Sequence, residues 1–70
     1  MSLGKIISAL KERRVALAIT QSQLAALSEI SLRTIKEIER GKGNPTFATL
    51  GKIADVLGLE IKLEVKQNIN

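Results

Sequence analysis

Residues 20–40, TQSQLAALSEISLRTIKEIER, decide the fold of this chain. Apolar residues recur here at helical spacing in two separate groups, which predicts one helix over Gln21–Ser28 and a second over residues 32–40. Ile30 and Ser31 fall in the connection, so the pattern predicts two short helices joined by a tight turn. The apolar positions that carry the pattern are Leu24, Ala25, Leu27, Ile30, Ile35 and Ile38.

Polar residues at the expected helix boundaries support this division. Thr20 and Gln23 have the spacing of a capping box, in which each side chain accepts a hydrogen bond from the backbone amide of the other residue. Ser31 stands where the second helix needs an N-cap oxygen, and Gly41 tolerates the positive φ that ends a helix after residue 40. The second helix then exposes Leu32, Arg33, Lys36, Glu37 and Arg40.

Several motifs fall at fixed separations: TQ at 20–21, LA at 24–25, SLRTIKEIERGKGNP at 31–45, and a final helix ending in LG at 57–58. In these motifs the sequence resembles the phage-repressor and Cro-type (Xre-like) helix-turn-helix family over residues 6–59. It departs from the family at Glu29, where the turn usually has Gly, and at Ala18, which replaces a Gly before TQ. The resemblance implies a mainly α fold, a small lambda-repressor-like four-helix bundle, and a transcriptional regulator that binds double-stranded DNA.

Composition argues against several other classes of function. Seventy residues make one domain, which buries only about 60% of its unfolded surface. The chain has no Cys and no His, so we expect neither a disulfide nor a metal site, and cysteine usage indicates no redox compartment. A single Asp, with no Tyr and no Trp, leaves few general acids or bases, so we expect neither enzyme activity nor a cofactor.

The charge of the chain favours a polyanionic partner. Eleven Lys and Arg residues against seven Asp and Glu residues give a net charge of +4 and a pI of about 9.9. The alternative is that a modest positive excess only keeps a small protein in solution. We find no apolar run of the roughly 20 residues that a membrane span needs and no signal-peptide pattern, so we expect a cytoplasmic protein outside the membrane.

The N-terminal segment predicts a first helix with Ser2 as its N-cap. Arg14 lies at the edge of its apolar stripe, where an unpaired charge is costly. The resemblance pairs the residue at Arg14 with the acidic residue at Glu39, so we expect a partly buried ion pair between the first and third helices. The alternative is two unrelated surface charges. The stripe consists of Leu3, Ile6, Ile7, Leu10 and Leu17.

The second helix of the pair carries the candidate DNA-reading residues. The N-terminal residues of a recognition helix meet base edges in the major groove. Arg33 can therefore bind guanine O6 and N7, Leu32 can contact a thymine methyl group, and Lys36 can reach a base or a phosphate. The resemblance assigns Gln21 a phosphate contact at the N-terminus of the preceding helix. The predicted DNA-binding set is Gln21, Ser31, Leu32, Arg33, Thr34, Lys36, Arg40 and Lys42.

Each of these residues also has an ordinary structural interpretation. An exposed Arg or Lys on a helix is usually a solvated surface residue. Leu32 can belong to the core instead, and Thr34 can fill space near the turn. Glu37 is better interpreted as a charge balanced within the protein than as a cytosine reader.

After the loop at residues 41–45, the sequence predicts a fourth helix that Thr46 caps and Gly58 ends. Phe47, the single aromatic residue, is interpreted as a core residue and not as a platform for base stacking. Residues 1–58 would then form the helix-turn-helix DNA-binding domain. The apolar stripe of this helix is Phe47, Leu50, Ile53, Ala54 and Leu57.

The tail changes period, because apolar and charged residues alternate strictly over residues 59–66. Alternation predicts a half-buried strand, and the simplest partner is the same strand of a second copy, paired antiparallel across a two-fold axis. Ile61, Leu63 and Val65 would be the dimerisation residues, and residues 67–70 a frayed end. A disordered or helical tail is the alternative. The strand also resembles the C-terminal extension of an antitoxin-like subgroup.

Two functional hypotheses follow. The first is a sequence-specific DNA-binding repressor that binds an inverted repeat as a homodimer, with two recognition helices roughly 34 Å apart. The second is the antitoxin of a toxin-antitoxin pair, which neutralises a kinase-like toxin and regulates its own operon. The resemblance alone suggests the toxin, and no residue identifies it.

Overall fold

A computed structural model of the chain describes residues 2–63. Its four helices follow the order expected from the sequence, and residues 2–63 contain no strand. The expected helix over residues 32–40 ends one residue earlier, at Glu39, with Arg40 as its C-cap. The helices are α1 (Leu3–Ala16), α2 (Gln21–Ser28), α3 (Leu32–Glu39) and α4 (Phe47–Val56).

Every one of these helices begins after a Ser or Thr whose side-chain oxygen accepts from a backbone amide of the first turn. The capping box of α2 is confirmed: Thr20 Oγ1 accepts from the Gln23 amide at 3.0 Å, and Gln23 Oε1 accepts from the Thr20 amide at 2.8 Å. The start of each helix is therefore determined by residues within three positions of it. The four N-caps are Ser2, Thr20, Ser31 and Thr46.

Three helices end in the same Schellman arrangement, with a left-handed residue after the C-cap. In α3, Gly41 has φ +73°, its amide donates to Ile38 O, and the Lys42 amide donates to Glu37 O, both at 2.9 Å. Gly58 has the same role after α4. After α1 the role falls to Ala18 at φ +57°, although a residue with a Cβ atom is strained there.

The turn between α2 and α3 also contains a left-handed residue that is not glycine. Glu29 has φ +60°. Among residues 2–63, Ala18 and Glu29 are the two non-glycine residues with a left-handed backbone. They are also the two positions at which the resembled family has glycine. Each of the two conformations costs roughly 1–2 kcal/mol of folding free energy. The turn that contains Glu29 is anchored by Ile30, which packs against the core.

The core lies between all four helices, and its most buried side chains are Leu24, Ile35 and Leu57. Ile6, Ile7, Ile19, Ile30 and Leu32 pack at its edge. The buried apolar residues are Leu10, Leu24, Ala25, Ile35, Ile38, Leu50, Ile53, Ala54 and Leu57.

Residues at the ends of the predicted apolar stripes are exposed, contrary to expectation. The prediction that Phe47 fills the core is wrong, because its side chain is 70% exposed. Phe47 is the first residue of α4, and helical side chains lean toward the N-terminus, so its ring extends away from the buried positions that follow. Leu3, the first residue of α1, and Leu17, its C-cap, are also exposed, each at one end of that helix.

On α2, a serine takes the buried place that the sequence pattern suggested for a leucine. Leu27 is 62% exposed, whereas Ser28 is buried with Leu24 and Ala25. These three buried residues follow the i, i+1, i+4 spacing of one helix face. The Ser28 hydroxyl donates to Leu24 O at 2.7 Å, so this buried polar group has a hydrogen-bond partner inside the core.

Candidate nucleic-acid interface

A shallow groove runs along the exposed face of α3 and reaches the first residue of α2. Three cationic side chains and one carboxylate line it, so the groove favours a polyanion. We call this surface the α3 groove. Its lining residues are Gln21, Leu32, Arg33, Lys36, Glu37 and Arg40.

Arg33 is an exposed cationic side chain of this surface. Its side chain is 89% exposed, and its Nε donates to Glu37 Oε1, one helical turn later, at 3.2 Å. Lys36 and Arg40 are also exposed. Leu32 is half-buried and packs against the core, so it contributes to the core and also borders the groove. The core interpretation of Leu32 is therefore correct in part, and its contact with a thymine methyl group stays a prediction.

The amide of Gln21 is held at the edge of the groove by a carboxylate. Gln21 Nε2 donates to Glu39 Oε1 at 3.1 Å, and Gln21 is half-buried. The residue opens α2 directly after the Thr20 cap, where the helix dipole places partial positive charge. A phosphate at this end of the groove would meet the Gln21 side chain together with that helix end.

Arg14 and Glu39 form the bond that joins α1 to the end of α3. Arg14 Nε donates to Glu39 Oε2 at 2.6 Å and Nη2 donates to Oε1 at 2.9 Å, while Nη1 donates to Ile19 O at 2.8 Å. The two side chains are only 13% and 7% exposed. The pair therefore holds the end of α3 against α1.

The ionisation of Glu39 is set by competing influences. Burial would raise its pKa, but the hydrogen bonds from Arg14 and Gln21 and the positive charges of Arg14 and Lys11 outweigh burial. The pKa of Glu39 is therefore lower than its ordinary value of 4.5. The carboxylate remains ionised and keeps both Arg14 and Gln21 in place.

Two of the three remaining predicted contact residues border a second hollow, next to the α3 groove. Thr34 and Lys42 line this hollow with the loop after α3. Ser31 Oγ accepts from the Thr34 amide at 3.1 Å and donates to Thr34 Oγ1 at 2.8 Å, so both hydroxyls serve the start of α3. Glu37 lines the hollow and the groove alike.

Glu37 is the residue of this surface that the predicted contact set omitted. Five members of that set line the α3 groove, and Thr34 and Lys42 line the neighbouring hollow. Glu37 borders both. The spacing of Arg33 and Glu37 was the available signal, because opposite charges four residues apart on a helix contact each other.

Two of the predicted dimerisation residues, Ile61 and Leu63, line neither the α3 groove nor the hollow beside it. Ile61 is half-buried and lines an apolar groove against α1, with Ile6, Ala9 and Leu10. Leu63 is 90% exposed. Val65 and the frayed end lie outside the described residues, and residues 59–63 form neither helix nor strand.

Residues 2–63 contain no group of three or more acidic side chains placed to hold a metal ion. Within that range, none of the helices has the length and apolar character needed to cross a membrane.

Comparison with known proteins identifies the family. A family description of helix-turn-helix type matches residues 10–63. An immunity repressor protein of Bacillus phage phi105 is 34% identical over 61 residues, which cover 87% of this chain and 40% of the phage protein. The cryptic phage CTXphi transcriptional repressor RstR of Vibrio cholerae serotype O1 is 44% identical over 57 residues, covering 81% of this chain and 51% of that protein.

A third relative is a bacterial regulator. The uncharacterized HTH-type transcriptional regulator RghRB of Bacillus subtilis is 51% identical over 49 residues, covering 69% of this chain and 35% of that protein. The chain thus spans about half or less of the length of each of these relatives. The matched residues include the capped α2 and α3 and the groove beside them. The chain therefore belongs to the helix-turn-helix family.

Proposed function

We propose that this chain binds double-stranded DNA in a sequence-specific manner and acts as a transcriptional repressor. The observation that carries the proposal is the α3 groove, in which Arg33, Lys36 and Arg40 stand exposed on a helix held by its caps and its buried face. The two phage relatives are named repressors, which supports the same function.

The chemistry of the groove suggests a division of roles among its residues. Arg33 would donate to guanine O6 and N7 from the first turn of α3, and Leu32 would contact a thymine methyl group. Lys36 and Arg40 follow along the helix, where they would reach a base or the phosphates. Gln21 would donate to a phosphate at the N-terminus of α2.

The hydroxyl and loop residues would act on the backbone of the duplex. Ser31 and Thr34 sit at the start of α3, and Lys42 lies in the loop after it. Contacts of this kind place the protein on the duplex without reading its sequence. Because they neutralise phosphates, the affinity should fall steeply as the salt concentration rises.

Selection of duplexes from a random pool at physiological salt tests this function. The proposal expects a defined sequence to be enriched and the enrichment to be lost when Arg33, Lys36 and Arg40 are all changed to Ala. A folded wild-type chain that enriches no sequence contradicts it.

We further propose that the chain binds an inverted repeat as a homodimer through the tail. The alternation of apolar and charged residues over 59–66 supports a strand that pairs with the same strand of a second copy. The exposure of Leu63 supports this too, because pairing would cover an apolar side chain that the single chain leaves in solvent. A dimer of this kind would repress by covering a promoter.

The second candidate function is that of an antitoxin. Phe47 and Leu27 are largely exposed and line neither the α3 groove nor the hollow beside it. Their exposure favours a protein partner that would cover these apolar side chains. The partner would be a kinase-like toxin encoded beside this gene, and the complex would regulate its own operon. Co-expression of the chain with the product of the adjacent reading frame, followed by size-exclusion chromatography, tests it. Separate elution of two folded proteins contradicts this candidate.

A further inference from the structure

Glu37 is the one carboxylate among the six residues that line the α3 groove. A carboxylate on a surface that approaches a duplex is repelled by the phosphates, whatever the base sequence. Glu37 alone therefore lowers the affinity for any DNA. Its contacts indicate what it contributes instead.

Glu37 contacts Arg33 through its side chain and the loop after α3 through its backbone. Oε1 accepts from Arg33 Nε at 3.2 Å. Oε2 faces the loop after α3, since a Cβ atom on Gly43 would lie 3.9 Å from it. The Glu37 carbonyl accepts from the Lys42 amide at 2.9 Å within the helix-ending motif. The Glu37 side chain is 39% exposed against 89% for Arg33, so the carboxylate is the more enclosed partner of the pair.

The bond to Glu37 decides which donors of Arg33 are available. A guanidinium has five N–H donors in one plane. The Nε–H is directed to Glu37, which leaves the outer edge formed by Nη1 and Nη2. Two parallel N–H groups at that edge match O6 and N7 of guanine.

We propose that Glu37 is a positioning residue, whose carboxylate holds Arg33 by Nε so that the Nη1 and Nη2 edge faces a guanine in the major groove. The inference rests on the proposed function, because it requires a duplex in the α3 groove. An exposed pair of this kind is weak in water, but a duplex that covers the groove excludes water and strengthens it. Glu37 thus lowers the affinity for all DNA and increases the preference for one sequence.

A direct contact is the competing role, because a Glu on a recognition helix can accept from cytosine N4. The two roles differ in which base pair responds to substitution. A positioning residue changes the preference at the base pair that Arg33 reads, and has no effect once Arg33 is absent. A direct reader changes the preference at another base pair, with or without Arg33.

The experiment is duplex selection and sequencing with the wild-type chain and with Arg33→Ala, Glu37→Ala, Glu37→Gln and the double Arg33→Ala/Glu37→Ala variant. Glu12→Gln is the matched control, because it removes one exposed carboxylate from α1, outside the groove. Arg33→Ala should abolish a discrimination of roughly 5- to 150-fold at one base pair. Glu37→Ala should reduce that same discrimination by roughly two- to twelvefold, the effect of ordering one long side chain.

The other variants separate charge from position. Glu37→Gln keeps an oxygen that can accept from Arg33 Nε, so it should retain more of the discrimination than Glu37→Ala. Both Glu37 variants should bind non-specific DNA more tightly, and Glu12→Gln should leave the preferred sequence unchanged. The double variant should show the preference of Arg33→Ala alone.

Three results overturn the inference. A folded Glu37→Ala chain with the wild-type preference shows that Glu37 does not position Arg33. A change of preference at a different base pair shows that Glu37 reads a base itself. A wild-type chain that enriches no duplex overturns the proposed function and this inference with it, whereas the first two results leave the proposed function intact.

Discussion

Arg14 binds Glu39 through two parallel hydrogen bonds, Nε to Oε2 at 2.6 Å and Nη2 to Oε1 at 2.9 Å, with both side chains largely removed from solvent. Since Glu39 Oε1 also accepts from Gln21 at 3.1 Å, one carboxylate connects α1, α2 and α3. The position of the α3 groove relative to the bundle therefore depends on this pair.

Loss of one partner of this pair should destabilise the fold strongly. Arg14→Ala or Glu39→Ala would leave the other charge buried and unpaired, at a cost of about 3–5 kcal/mol in the free energy of unfolding. Arg33→Ala is the matched control, because it removes an arginine from an exposed ion pair worth at most about 1 kcal/mol. Urea unfolding followed by circular dichroism measures both.

The double change Arg14→Met with Glu39→Leu should recover much of that loss, because no unpaired charge remains. Equal stability of the Arg14→Ala and Arg33→Ala variants would show that the buried pair has no special role.

Acid should weaken the fold partly through Glu39. The pKa of Glu39 is lowered in the folded protein, so its contribution to stability is fully present above the unfolded value of about 4.5. That contribution is lost as pH falls from there through the lower folded value, because protonation then occurs first in the unfolded chain. We expect the free energy of unfolding to fall more steeply between pH 5 and pH 3 in the wild-type chain than in Glu39→Gln, by urea titration at each pH. Identical slopes in the two proteins would contradict the assignment.

A glycine at position 18 should stabilise the protein. Ala18 has φ +57°, which costs an alanine roughly 1–2 kcal/mol, whereas the entropy lost by a glycine is about 0.5–1 kcal/mol. Ala18→Gly should therefore raise the free energy of unfolding by up to about 1 kcal/mol. Ala9→Gly, the same change inside α1, should lower it by about 1 kcal/mol. Thermal unfolding of the two variants should show shifts of opposite sign, and a lower midpoint for Ala18→Gly would refute the strain argument.

Two basic residues of the proposed DNA-binding surface should respond differently to truncation. Arg33→Ala should cost about 1–3 kcal/mol on the preferred duplex and relax the preference at one base pair. Lys42→Ala should weaken binding to all sequences alike and reduce the slope of log affinity against log salt by about 1. Fluorescence anisotropy with matched and mismatched duplexes at several salt concentrations measures both effects. If Arg33→Ala leaves affinity and preference unchanged, α3 is not the reading helix.

Proline at position 63 should separate the proposed dimer. A proline cannot donate in a strand ladder, and Leu63 is exposed in the single chain, so the helical bundle should remain intact. Leu63→Pro should sediment as a monomer in analytical ultracentrifugation, while Leu63→Val, which keeps a strand-forming residue, should remain a dimer. A dimer that persists in Leu63→Pro would place the interface elsewhere on the molecule.

Much of the fold was determined by the sequence alone, because its signals are local. The capping box at Thr20 and Gln23 and the helix end at Gly41 depend on hydrogen bonds between residues at most five positions apart. Such bonds involve only residues close in sequence, and the bounds of α2 agree with the prediction. The fit of the segment to a helix-turn-helix pattern has the same local origin.

The tertiary structure alone decided which apolar residues are buried and how the groove is arranged. Phe47 and Leu50 belong to one sequence stripe, yet only Leu50 is buried, since burial depends on whether a neighbouring helix covers that turn. The placement of Glu37 between Arg33 and the loop at Gly43 likewise requires both elements to be packed. Periodicity specifies the direction of a side chain around its own helix, whereas the atoms that it meets belong to residues far away in the chain.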